Sequence, residues 1–288
     1  MTHYPDLSAL SVALRQSAPS GPLALILIED EIEIESTIKH HLDLGFSQII
    51  ACGDGNIALP TGLDGQIDRV DCDVSSPDAL ATLVNTLMPA MIGRWVYYGY
   101  NAEYLFYPFS KDRSAVEMLG FVTEERRNIV ASYVVDLYAR DLGTHPNGVS
   151  TDDAYFDKSG YYALARQDIA GETLDRQLDV FGGLRWRFEE HIAQTRRRID
   201  RVSLFKAKQG LLMSTDRLFN DPEYNTIACP WHHSLTAAVA SFRTAKALRR
   251  NPGSRQSIDS FHWRQSEKFN WQAQQLLDLG LLEPGQWF

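Results

Sequence analysis

Several oxygen-bearing side chains fall where apolar runs end. Glu29 and Asp30 close the run PLALILI, and Asp54 sits in the turn GDGN. Asn101 and Glu103 interrupt GRWVYYGYNAEYLFYPFS, a stretch otherwise almost wholly aromatic and aliphatic. Polar groups just after strands are where open α/β sheets hold ligands, outside the carboxyl ends of the strands. Each also has a plainer role. Glu29 and Asp30 suit the capping of a following helix, Asp54 suits turn chemistry, and Asn101 and Glu103 suit backbone satisfaction at a strand end. A second concentration is DPEYNTIACPWHHSLT, with Trp231, His232 and His233 ahead of a predicted helix. Adjacent histidines point in different directions, so the pair does not suit one ion. One of them suits contact with a phosphate or an acceptor group, and Trp231 suits stacking on a sugar ring; a loop packed by its own rings is the alternative. A third is the basic stretch holding Arg185, Arg187, Arg196, Arg197, Arg198, Arg201 and Lys206, which on general grounds is a solvated or salt-bridged face. His40 and His41 read as packing or surface residues.

The elements that must place these groups follow from patterning. PLALILIED reads as a buried strand. EIEIESTIKHHLDLG reads as a helix with Ile34, Ile38 and Leu42 at four-residue spacing, stopped by Gly45. FSQIIAC and IDRVDCDV read as further strands, and DALATLVNTLMPAM as a helix opened by Ser76 and Pro77. RWVYYGY is the fourth strand. Strands alternating with helices predict a mostly parallel sheet with both faces covered. Beyond Pro108 the pattern predicts a helix over TEERRNIVASYVVDLYARDL with Thr123 as N-cap, another over SLTAAVASFRTAKALRR, and a closing helix in NWQAQQLLDLG. Residues 1–20 read as a short polar lead with room for one helical turn, 21–120 as the core, and 121–288 as a helical C-terminal region continuous with it.

The 288 residues are 44% hydrophobic, enough for a substantial core, and carry a net charge of −9, which disfavours non-specific nucleic-acid binding. Three cysteines without C-x-x-C spacing fit neither a disulfide framework nor a zinc site and suit a reducing cytoplasm. No signal peptide and no transmembrane segment is expected, while the sequence is compatible with peripheral contact at the inner membrane face. The P-loop, G-x-S-x-G, H-E-x-x-H and G-x-G-x-x-G patterns are all missing from the sequence, which removes the usual support for kinase, serine hydrolase, zincin and dinucleotide-enzyme readings.

The order IED, HHLDLGF, then GDGN resembles the start of family 2-type glycosyltransferases. In that family a Trp-containing strand then runs into Asp-x-Asp-Glu-Phe-Leu. Here Trp95 precedes Tyr100-Asn101-Ala102-Glu103-Tyr104-Leu105, with Pro108 beyond. Glu103, Tyr104 and Leu105 match, whereas Tyr100 and Ala102 replace both aspartates. The resemblance covers about residues 22–120. It implies a GT-A-like nucleotide-sugar-binding α/β sandwich over the 21–120 core, in which Glu29, Asp30 and Asp54 contact base and ribose, with 121–288 as the acceptor side. It also implies a divalent ion, Mn²⁺ or Mg²⁺, on the diphosphate; only Asn101 and Glu103 remain to hold it, and such ions want oxygen ligands. A metal-independent variant would instead neutralise the diphosphate with arginines, Arg185 and Arg187 foremost.

The expected function is transfer of a sugar from a nucleotide-diphosphate donor to a glycan or other hydroxyl acceptor, in surface or exopolysaccharide synthesis. Direct displacement needs a base, most often a carboxylate. Glu189, Glu190, Asp221 and Glu223 are candidates, with Glu190 and Glu223 preferred. The alternative is a non-catalytic relative that binds or regulates. A methyltransferase is a third class, resting only on ACGDG after a strand.

Overall fold

The computed structural model describes residues 1–16, 21–63 and 65–287. In chain order its elements are β1 (His3–Tyr4), α1 (Leu7–Gln16), β2 (Leu23–Ile28), α2 (Ile34–Asp43), β3 (Gln48–Gly53), β4 (Asp68–Asp71), α3 (Ala79–Leu87), β5 (Trp95–Tyr100), β6 (Glu103–Phe106), α4 (Ala115–Glu124), β7 (Ile129–Ala139), β8 (Ala154–Asp157), β9 (Tyr162–Gln167), β10 (Thr173–Phe181), α5 (Gly183–Arg187), β11 (Asp200–Lys206), β12 (Thr236–Ser241), α6 (Arg243–Arg250), α7 (Pro252–Ser257), β13 (Ser266–Lys268) and α8 (Ala273–Asp278). They form two compact units. The first holds Met1–Tyr104, Asp112–Ala131 and Val202–Asn225; the second holds Leu105–Lys111, Ser132–Arg201 and Thr226–Phe288. Residues 202–225 thus return to the first unit, beyond the boundary the sequence suggests near 120.

In the first unit the strand order is β1-β4-β3-β2-β5-β11. The first five strands are parallel. The end of β11 runs antiparallel to β5, with Leu204 opposite Tyr97. All six residues of β2 are apolar and buried, the signature of a parallel strand covered on both faces. One cover is α2, whose buried Ile34, Thr37, Ile38 and His41 recur at three- and four-residue spacing. Gly45 ends it at φ 84°, a conformation glycine adopts without steric cost. Buried Leu10 and Leu14 of α1 belong to a helix that packs on α3. The expected alternation of strands and helices is present, in a mixed sheet flanked by helices.

In the second unit β8 lies between β7 and β13, antiparallel to both, with Phe156 opposite Leu137 and Glu267. β9 and β10 form a separate antiparallel hairpin. Tyr138, Leu142, Leu184, Ala245, Leu248, Ile258 and Phe261 form an apolar cluster that α6 helps to close.

Four expectations are corrected. The polar lead contains an edge strand and the ten-residue α1, with residues 17–20 outside the described residues. The helix predicted from Thr123 onward is the end of α4, a turn with Arg126 at φ 61°, and then the eleven-residue β7. Ten of its eleven residues are buried, so both faces are covered and no period-2 alternation marks it as a strand. The run SLTAAVASFRTAKALRR divides at Phe242 into β12, buried throughout, and α6. Finally, the region after 121 is not a helical extension: it contains β7 to β13, and its longest helix after α4 has eight residues.

Candidate functional site

The carboxyl ends of β2, β3 and β5 bring four of the predicted groups together. Leu27 pairs with Cys52 on one side and Tyr100 on the other, and Ile28 pairs with Gly53, so Glu29, Asp54 and Asn101 follow neighbouring strand ends. Asn101 is fully buried. Its Oδ1 accepts from the Glu29 N–H at 2.8 Å. Its Nδ2 donates to the Asp30 carbonyl at 3.1 Å, to Asp30 Oδ1 at 2.6 Å and to the Ile32 carbonyl at 2.8 Å. The amide therefore ties the turn after β2 to the end of β5. Glu103 is also fully buried, and its Oε2 accepts from the Tyr100 N–H at 3.0 Å. Between them Ala102 adopts φ 62°, and its N–H donates to Thr37 Oγ1 at 2.8 Å.

This arrangement does not fit a divalent ion held against a diphosphate. Such an ion needs oxygens on an open face. Asn101 and Glu103 are sealed, and the Asn101 oxygen and amide hydrogens are engaged by backbone and Asp30. Among the described residues no group of three or more His, Cys, Asp or Glu side chains is placed to hold a metal.

The open groups lie further out. Glu29 and Asp30 are half-buried and Asp54 is exposed. Asp54 Oδ1 accepts from the Asn56 N–H and Nδ2, both at 2.9 Å, which shapes its own turn. The guanidinium of Arg69 donates to the Asp54 carbonyl at 2.6 Å and so holds that turn onto β4. A groove of about 450 Å³ follows the chain from Glu31, just after Asp30, into α2, and is lined by Glu31, Glu33, Ile34, Glu35, Ser36, Lys39, Ala58 and Pro60. Glu33 was not singled out by the sequence. It precedes α2 with φ 55°, a strained conformation for a residue with a side chain. Its carbonyl accepts from Thr37 Oγ1 at 2.6 Å, the same hydroxyl that accepts from Ala102. Its Oε2 lies 2.5 Å from Ser36 Oγ, which lies 2.9 Å from the Tyr104 hydroxyl. Burial pushes that hydroxyl's pKa well above the ordinary tyrosine value, so it remains a neutral donor. A left-handed glutamate before an apolar-periodic segment leaves no mark in a single sequence, which is why Glu33 escapes pattern reading.

The remaining predicted residues lie elsewhere. Arg185 and Arg187, on α5 of the second unit, are enclosed rather than presented. Arg185 Nε lies 3.4 Å from Asp136 Oδ1 and donates to Thr244 Oγ1 at 3.1 Å, and Nη1 donates to the Arg198 carbonyl. Arg187 Nη1 donates to Asp157 Oδ1 at 3.0 Å and Nη2 to the Phe261 carbonyl at 2.7 Å, while the guanidinium lies 4.6 Å from the Trp263 ring centre. Burial raises the Asp136 pKa against the opposing pull of Arg185. Arg198 pairs with Asp179 at 2.9 Å and Arg197 with Glu189 at 3.0 Å. The basic stretch is thus largely a set of internal and surface ion pairs. Glu190 is exposed in the second unit, 3.7 Å from His191. Glu223 is in the first unit, where its Oε1 accepts from buried Arg127 at 3.3 Å. Trp231 is 85% exposed and His233 is exposed; both precede β12. No helix among the described residues is long and apolar enough to cross a membrane.

No protein-family model matches this chain, and no curated protein matches it.

Proposed function

We propose that the first unit binds a nucleotide-sugar at the carboxyl edge of its parallel sheet and that the protein transfers the sugar to a hydroxyl acceptor. One observation carries this reading: Glu29 and Asp54 follow adjacent parallel strands in the order that the resemblance to family 2-type glycosyltransferases implies, and an open groove runs from Glu31 into α2. Carboxylates there accept hydrogen bonds from ribose hydroxyls and base N–H groups. Glu33 and Glu35 line that groove, and a carboxylate of this kind would serve as the base that takes the acceptor hydroxyl's proton. A diphosphate at this acidic edge needs a cation. Asn101 and Glu103 do not hold one, so the counter-charge comes from an ion on the exposed carboxylates or from cationic side chains other than Arg185 and Arg187.

Calorimetric titration with UDP, GDP and dTDP, with and without Mn²⁺, tests the reading. At least one should bind, and Asp54→Ala should weaken that binding about tenfold, roughly 1.4 kcal/mol, a larger effect than on stability, which loses only the bonds to Asn56 within the turn. Binding to none of them, or an unchanged affinity in Asp54→Ala, would overturn the site. A second reading, a binding or regulatory relative without turnover, is favoured by the sealed state of Asn101 and Glu103. It predicts nucleotide-sugar binding with no release of nucleoside diphosphate in the presence of acceptor.

A further inference from the structure

The hairpin of β9 and β10 belongs to the second unit and takes no part in the site described above. It is a sheet of two strands, so among the described residues β9 has a strand neighbour on one edge only. Five of its six residues are exposed, Leu164 by 56% and Tyr162 by 45%. The other edge presents backbone N–H and C=O groups in a row with no strand beside them, a template for pairing with another chain. β1, at the margin of the first unit's sheet, is only two residues long and offers little of this kind.

Proteins commonly blunt such an edge with a lysine, a proline or a bulge. The strand Tyr-Ala-Leu-Ala-Arg-Gln has neither lysine nor proline. The irregularity of the hairpin falls on β10, between Thr173 and Leu178, and β9 stays in regular register from Tyr162 to Ala165. Its one charge, Arg166, is buried and turned back onto its own chain. Nε donates to Asp179 Oδ1 at 2.7 Å and Nη2 to Asp200 Oδ2 at 2.6 Å. What β9 shows to solvent is therefore uncharged and largely apolar.

We propose that the occupant of this edge is a second copy of the chain, with β9 pairing antiparallel to β9 about a two-fold axis into a four-stranded sheet. Charge favours this occupant. Within the strand no exposed charge meets its like. Beyond the ends the signs are opposite: Lys158 precedes β9 and exposed Asp168 follows it, and antiparallel pairing carries the end of one strand to the start of the other. Lys158 is itself partly exposed and lies 3.6 Å from Glu267. In a two-fold antiparallel pair, opposed residues present their N–H and C=O groups alike, so the axis passes where one residue faces its own copy. Placed at Leu164, it sets leucine against leucine and Ala163 against Ala165 of the other copy. Six residues a side is fewer than the roughly 20–30 of a standard stable interface, so the dimer is weak and depends on concentration.

The test is sedimentation of the full chain over a wide range of concentration, with three variants. The molar mass of the wild type should rise toward twice that of the chain. Leu164→Lys sets like charges directly opposite one another and should stay monomeric throughout, with its melting temperature unchanged because the side chain is exposed. Leu164→Cys should form an intermolecular disulfide under mild oxidation, since opposed residues of an antiparallel pair have Cα atoms about 4.5–5.5 Å apart, within disulfide reach. Ile169→Cys, in the fully exposed turn and away from the axis, should cross-link far more slowly, and the wild type with its own three cysteines sets the background. A wild type that stays monomeric would overturn the proposal and leave the edge to a strand of a different polypeptide. A Leu164→Lys chain that dimerises like the wild type, or an Ile169→Cys chain that cross-links as fast as Leu164→Cys, would overturn it too.

Discussion

At the scale of single residues, Asn101 shows why an amide is placed in an apolar strand. One oxygen and two hydrogens serve four polar atoms of the turn after β2, and no apolar side chain of that size can do this. A carboxylate cannot do it either. Asn101→Asp removes the donors, leaves the Asp30 and Ile32 carbonyls without them, and sets a second negative charge beside Asp30. Leaving buried polar groups unsatisfied costs about 1–3 kcal/mol each, so a loss of about 3 kcal/mol is expected, read as a lower urea midpoint. Were Asn101 instead a cation ligand on an open face, the same change would leave the midpoint in place and tighten Mn²⁺ binding. Thr37 belongs to the same device. Its hydroxyl donates to the Glu33 carbonyl and accepts from Ala102, joining two residues that both sit at positive φ.

Among elements, α4 is the one whose boundaries decide the reading of its surroundings. Its N-cap is Ser114, and the capping box is complete: the Glu117 N–H donates to Ser114 Oγ, and Glu117 Oε2 accepts from the Ser114 N–H. Ser114→Ala should cost about 1 kcal/mol in thermal unfolding, and Ser114→Gly less. Thr123, predicted to start a helix, lies in the last turn of α4; its hydroxyl donates back to the Leu119 carbonyl and accepts from Trp95 Nε1 at 3.2 Å. The true start carries its own mark in Ser-Ala-Val-Glu, which has the spacing of a capping box. From β2 to β5 the sequence was legible because β2 and β3 are short apolar runs closed by an acid or a turn and α2 shows a four-residue period. β7 and β12 were not legible, since a strand covered on both faces has no alternation and an alanine-rich one has helical propensity. The candidate site was legible in position but not in state. Strand-end carboxylates can be read from order alone, whereas the burial of Asn101, Glu103, Arg185 and Arg187 depends on partners distant in sequence.

At the scale of the whole molecule, acid sensitivity follows from one buried histidine. His41 has no exposed surface, its Nδ1 lies 2.8 Å from the Thr37 carbonyl, and its ring stacks on Tyr97. Burial and then the neighbouring His40 lower its pKa from 6.5 to about 3, against weaker opposite effects of the Thr37 carbonyl and Glu103. The unfolded chain therefore takes up this proton first as pH falls. Stability present above pH 6.5 should be lost progressively between 6.5 and about 3. Asp136, with its raised pKa, works in the opposite sense, because the folded state protonates it first. Melting temperatures across this range should show the net fall, and His41→Gln should flatten it; an unchanged slope in that variant would assign the loss to other groups. The first residues of the chain matter on the same scale. β1 covers the outer side of β4, with the Thr2 carbonyl accepting from the Arg69 N–H and His3 Nε2 at 2.8 Å from Asp71. Trimming those few residues would strip the cover from a parallel sheet and leave a bare edge. Such an edge recruits strands from other copies, so the shortened chain would be lost to precipitation before any effect on ligand binding was felt.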